Sequence, residues 1–211
     1  SKFEAKEIDS AIRLQKPFAE MAEKELTYSI GSEESEEENT FLSYNKVIGT
    51  SLDPKLYLAF EILDYALLSA PGAPLKQALT DAGIGKDIMG SYDNGIYQPI
   101  FSVISKNANA DQKEVFVAKI EEVFTDLVKN GIDKKALEAG INYQEFRYRE
   151  ADFGNYPKGL MYGLQMMDSW LYDDNEPFMH IEALDTFEFL KEQIGTRYYE
   201  ELIQKDRKSV V

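Results

Sequence analysis

At 211 residues and 24.1 kDa, with 44% hydrophobic and 12% aromatic residues, the chain can bury a sizeable core as one large domain or two small ones, and one is expected. A formal charge of -15 argues against a nucleic acid or an anionic membrane as partner, because phosphate binding needs clustered Lys and Arg; basic peptides would be attracted instead. One histidine, His180, and no cysteine remove most zinc and thiol chemistry and any disulfide framework.

The start, Ser1 to Glu7, lacks the apolar core of a signal peptide, and no apolar stretch approaches the roughly 20 residues that span a bilayer. An opening without methionine is what a segment cut from a longer protein would show. Residues 1–27 are expected to be a linker or approach segment: Ile8, Ile12, Ala19 and Ala22, interrupted by Pro17, predict a helix and then an extended stretch. The run Glu33-Glu34-Ser35-Glu36-Glu37-Glu38 reads as a solvated loop, which discounts the charge argument about partners. Residues 28–211 are expected to form the domain proper.

Thr40 to Gly49 is rich in aromatic and β-branched residues and closes on glycine, which predicts a core strand. Asp53-Pro54 supplies an N-cap and a first-turn proline for a helix bearing Leu56, Phe60, Leu63 and Leu67 and running to about Ser69. Pro71-Gly72-Ala73-Pro74 breaks it, and a shorter helix follows on Leu75, Ala78 and Leu79, ending near Gly83 and Gly85. Ile88 to Tyr92 and Pro99 to Ser105, separated by Asp93-Asn94-Gly95, predict an antiparallel hairpin.

Asp111 and Glu114 have capping-box spacing for a helix with the stripe Phe116, Ile120, Val123 and Leu127, stopped by Asn130-Gly131. Asp133 caps another, from about Lys134 to Ala151. The glycine- and aromatic-rich passage from Asp152 to Trp170 is expected to be helical after Tyr156-Pro157. Asp185 and Glu188 have capping-box spacing before Phe187, Leu190 and Ile194; Gly195-Thr196 starts a last helix, and Ser209 to Val211 are expected to begin a closing strand. Without regular βαβ alternation, these elements predict an α+β fold: an antiparallel β-sheet with helices packed on one face.

No catalytic, cofactor-binding or metal-ligating residue is assigned. His180 has no second histidine at i+4 or elsewhere and reads as a surface or satisfied structural residue. Asp168, Asp173, Asp174 and Glu176, near Trp170 and Tyr172, depart from calcium-loop spacing and read as a polar helix end, with a carboxylate-based hydrolase as the weaker idea. Gly83, Gly85 and Gly90 match no phosphate loop and read as turn and cap glycines. The aromatics from Tyr143 to Tyr162 could line a peptide groove, but core packing is the expectation.

PGAPLKQALTDAGIGKDIMGSYDNG, from Pro71 to Gly95, resembles a helix-glycine-strand passage of pitrilysin- and insulinase-type metallopeptidases. LSYNKVIGTS before it and EFRYREADFGNYPKGLMYGLQMMDSWLYDD after it resemble the presequence protease and falcilysin branch. The likeness runs from about Tyr28 to Gln204. It implies a peptidase of four homologous α+β domains enclosing a peptide chamber, with an inverted His-x-x-Glu-His zinc motif in the first domain and this chain as the second, non-catalytic one.

None of the motif residues has a counterpart here, so the resemblance implies no cofactor in this chain and zinc in the catalytic domain of the parent. It implies as partners the other domains of the same polypeptide and peptide substrates, with no nucleic acid and no membrane, and it leads to the expectation that the isolated fragment self-associates. The segment Gln204 to Ser209 is shorter than the family usually has, which predicts residues missing from the chain. The alternative is a stand-alone peptide-binding or scaffolding protein. A cytoplasmic location is expected, or an organellar matrix in a eukaryote.

Overall fold

Alternation of buried and exposed residues builds the first strand, β1 (Thr40–Val47), in which Leu42, Tyr44 and Lys46 turn inward and Phe41, Ser43 and Asn45 outward. The computed structural model describes residues 6–151 and 153–206. β1 pairs antiparallel with β3 (Ile100–Ala108), which pairs antiparallel with β2 (Asp87–Asp93), giving the order β1-β3-β2. Val103 in the central strand faces Tyr44 on one side and Gly90 on the other. On the outer face, Asn45 Oδ1 accepts from Ser43 Oγ at 2.8 Å and from Ser102 Oγ at 2.7 Å.

Helices cover the inner face. Asp53 caps α1 (Pro54–Asp64) by accepting from the backbone N–H groups of Lys55 and Leu56, with Pro54 preset for the first turn. The helix continues through a π-turn, Tyr65–Ser69, and α2 (Pro74–Asp81) follows. α3 (Lys113–Asn130) buries Phe116, Ile120, Phe124 and Leu127 and ends at Gly131, whose φ of +96° suits glycine. α4 (Lys134–Glu150), capped by Asp133, packs against α1 and α6 (Leu184–Gln193); α7 (Tyr198–Asp206) packs against α3, and α5 (Lys158–Trp170) lies at one side. The fold is α+β, with the core between the sheet and the helices. No described helix is long and apolar enough to cross a membrane.

The structure departs from three local expectations. Lys6 to Asn39 contains no helix: Ile8, Ile12, Phe18 and Leu26 are exposed, so no apolar surface holds that stripe as a helix. The expected hairpin is present: β2 and β3 pair antiparallel across a connection from Asn94 to Pro99, in which Tyr97 stacks on Tyr172. The capping box before α3 is Asn109 with Gln112, two residues ahead of the Asp111–Glu114 pair, because a 3-10 turn, Ala110–Gln112, precedes the helix. At α6 the N-cap is Ala183, with no side-chain cap; Asp185 lies in the first turn. The closing strand expected at Ser209 to Val211 lies outside the described residues.

Candidate functional site

α1 is apolar nearly all round, burying Tyr57, Leu58, Ala59, Phe60, Ile62 and Leu63, so it sits deep between the sheet and the other helices. Its two acids, Glu61 and Asp64, are thereby drawn inside. Glu61 Oε1 accepts from Asn94 Nδ2 at 2.8 Å, which ties α1 to the end of the hairpin. Burial raises the Glu61 carboxyl to about 7, against the opposing effects of Asn94 and Arg147.

Asp64 lies one turn on, against β2. A Cβ at position 90 would collide with Asp64 Oδ1 and lie 2.8 Å from Leu68 Cδ1, so Gly90 is there for close approach. Gly83 and Gly85, at φ of +67° and +64°, fit the turn reading; Gly90 does not. Asp64 Oδ1 is buried without a hydrogen-bond partner among the described residues, and burial raises its carboxyl to about 6.

The third acid, Asp168, comes from α5. It accepts a hydrogen bond from the Tyr57 hydroxyl at 2.9 Å; burial raises it to about 6 although that bond pulls the other way. Burial, with Asp168 and Glu61 nearby, pushes the Tyr57 hydroxyl well above the ordinary tyrosine range. Tyr57 stacks on the His180 ring at 3.8 Å, and His180 Nε2 donates to the Ser51 carbonyl at 2.8 Å. Burial lowers His180 to about 4, so it is a neutral, satisfied histidine that clasps the α5–α6 segment to the loop before α1.

These groups tie α1 to the end of the hairpin, to α5 and, through His180, to the loop before it. With Nε2 committed to a carbonyl, His180 has no metal-facing geometry, and no group of three or more His, Cys, Asp or Glu could hold a metal ion among the described residues. The described residues of this chain therefore do not fit zinc. The acidic stretch after Asp168 does not converge: Asp173 closes a local turn by accepting from the Asn175 backbone N–H, while Asp174 and Glu176 are exposed.

The aromatics from Tyr143 to Tyr162 correct the core-packing expectation. Tyr148 is tied inward, its hydroxyl accepting from the Ala183 N–H, and Phe153 meets Tyr162 edge-on at 5.2 Å. Tyr143, Phe146 and Tyr156 are exposed. Phe146, Phe153, Tyr156, Glu150 and Lys158 line an open cleft of about 380 Å³ at the C-terminal end of α4.

The antiparallel sheet and its helical cover define an α+β domain. The chain belongs to a peptidase family: the model of the peptidase M16 inactive domain matches residues 1–143. It is 45% identical over 96% of its length to Protein HypA of Clostridium perfringens, of which it covers 21%, and 30% identical over 88% to presequence protease 1, chloroplastic/mitochondrial, of Arabidopsis thaliana, of which it covers 17%. The chain thus spans about a fifth of the length of these curated relatives. Among solved structures, an inactive peptidase domain from Bordetella parapertussis, whose parent is described as a zinc protease, has the same fold; the TM-score is 0.57 at 8% identity, covering 81% of this chain and 86% of that one.

Proposed function

We propose that this chain is a non-catalytic domain of a longer zinc-dependent metalloendopeptidase that degrades peptides, forming part of the wall of the peptide chamber and packing on the catalytic domain. The observation that carries the reading is membership of the inactive-domain family in a chain whose relatives are about five times longer. A single histidine, buried and engaged by the Ser51 carbonyl, is consistent with zinc being held elsewhere in the parent. The net charge of -15 favours basic peptides as substrates by long-range attraction. Separated from its parent, the chain is expected to self-associate through its uncovered apolar side chains. The cytoplasm, or an organellar matrix in a eukaryote, is the proposed location.

The test is an immunoblot of source cells with an antibody raised against this chain. A band several times heavier than 24.1 kDa is expected. A band at 24.1 kDa would overturn the reading in favour of a stand-alone binding or scaffolding protein.

A further inference from the structure

The chain has two Asn-Gly steps, Asn94-Gly95 and Asn130-Gly131, and folds them differently. In such a step the glycine has no Cβ to hinder attack of its backbone nitrogen on the asparagine Cγ. At the end of α3 that attack is blocked. The Gly131 N–H donates to the Leu127 carbonyl at 2.9 Å, which closes the helix and occupies the nitrogen. In the β2–β3 connection the way is open: Gly95 lies in an exposed bend, and its N–H makes no hydrogen bond to a described residue.

The second difference is what faces the leaving nitrogen. Asn94 Nδ2 lies 2.8 Å from Glu61 Oε1. Glu61 is half-buried, and the groups around it are Asp64 and Tyr57 on its own helix, Arg147 from α4 and Asp168 from α5. Burial outweighs Asn94 and Arg147 and lifts the carboxyl to about 7, so near neutral pH a large share of molecules hold a proton beside Nδ2. Asn130 Nδ2 also meets a carboxyl, Asp126 Oδ1 at 2.5 Å, but that pair stands exposed to water.

We infer that Asn94-Gly95 is a self-modifying site, in which the Gly95 nitrogen closes on Asn94 Cγ while Glu61 protonates the departing Nδ2. The Gly95 N–H gives its proton to solvent hydroxide as the N–Cγ bond forms. The Cγ–Nδ2 bond then breaks, Nδ2 leaves as ammonia with the proton from Glu61, and a succinimide joins residues 94 and 95. Glu61 recovers its proton from water. A second water opens the ring at either carbonyl, leaving aspartate or isoaspartate at 94, so that the sum is amide plus water to acid plus ammonia. A carboxylate then stands where the amide donor stood, facing Glu61, and the isoaspartate form adds a methylene to the backbone. The tie between α1 and the hairpin is thereby lost, in one direction only.

The test follows both steps by peptide mapping and mass spectrometry in the polypeptide that carries this chain, in native buffer and in urea. Folding is expected to speed conversion at 94 by at least about tenfold, the low side of what a positioned proton donor contributes, and to slow it at 130. A smaller acceleration at 94, or a native rate at 130 equal to that at 94, would overturn the inference. Glu61→Gln keeps an oxygen for Asn94 but has no acidic proton, so it should remove the acceleration; a variant as fast as its parent would overturn the role of Glu61. Because that variant also takes a charge out of the interior, the pH profile of the unsubstituted protein is the second readout. Attack gains from every rise in pH, so the unfolded rate keeps climbing, whereas the native rate at 94 should level off above about pH 7 as Glu61 loses its proton. A native rate that climbs in parallel with the unfolded one is the contrary result.

Discussion

Replacing Glu61 with Gln probes the half-buried acids of α1. An acid whose folded pKa lies above its unfolded value favours the fold in its protonated form; the contribution is whole below the unfolded value and lost as pH rises through the folded one. For Glu61 those values are 4.5 and about 7, so ionisation costs the folded state about 3 kcal/mol at pH 8 and roughly 1 kcal/mol at pH 5. Gln keeps a carbonyl oxygen for Asn94 Nδ2 and removes the charge, while losing the attraction of Arg147. Glu61→Gln should therefore raise the stability measured by urea unfolding at pH 8 by up to about 3 kcal/mol, with the gain shrinking to roughly 1 kcal/mol at pH 5. An equal effect at both pH values, or destabilisation at pH 8, would refute the account of α1 as a helix that drags its acids into the interior.

Gly90→Ala should cost about 1–3 kcal/mol in thermal unfolding, because the added methyl collides with Asp64 and crowds Leu68; an unchanged melting temperature would contradict the close approach. His180→Phe keeps a ring against Tyr57 but loses the bond to the Ser51 carbonyl, for about 1–3 kcal/mol at pH 7. With a folded pKa of about 4 against an ordinary 6.5, the histidine contributes stability that is present above 6.5 and lost as pH falls through about 4. The Phe variant should lack that acid-side loss, and an identical pH profile in both proteins would show that burial is not acting on His180. Asn109→Ala should cost about 1 kcal/mol by opening the capping box with Gln112, whereas Asp111→Ala should cost less; the reverse order in urea unfolding would return the cap to Asp111.

Where a local rule and the tertiary structure agree, the sequence was a good guide. Asp53-Pro54 starts α1, Asn130-Gly131 stops α3 and Asp133 caps α4, because caps depend on the few residues that make them. The stripe Ile8, Ile12, Ala19 and Ala22 failed as a helix for the opposite reason: a short amphipathic segment needs a surface to lie on, and Ile8 and Ile12 meet none here.

The polar support was not legible because Glu61 and Asp64 belong to different contacts, Asn94 and Gly90, about thirty residues away along the chain. One signal pointed to it: the run Leu56 to Leu63 is too apolar for a one-sided helix, so an acid within it has little chance of reaching water. The aromatics from Tyr143 to Tyr162 misled in the other direction. Aromatic content predicts burial against something, and Phe146 and Tyr156 are exposed among the described residues.

The central claim is that this chain is a packing domain whose parent holds the metal. Zinc per polypeptide and peptide hydrolysis, measured together on the purified full-length protein and on this chain, test it most directly. The account predicts one zinc and peptide cleavage for the full-length protein and neither for the 211 residues alone. Stoichiometric zinc or peptide cleavage by this chain, or a full-length protein without zinc, would contradict it.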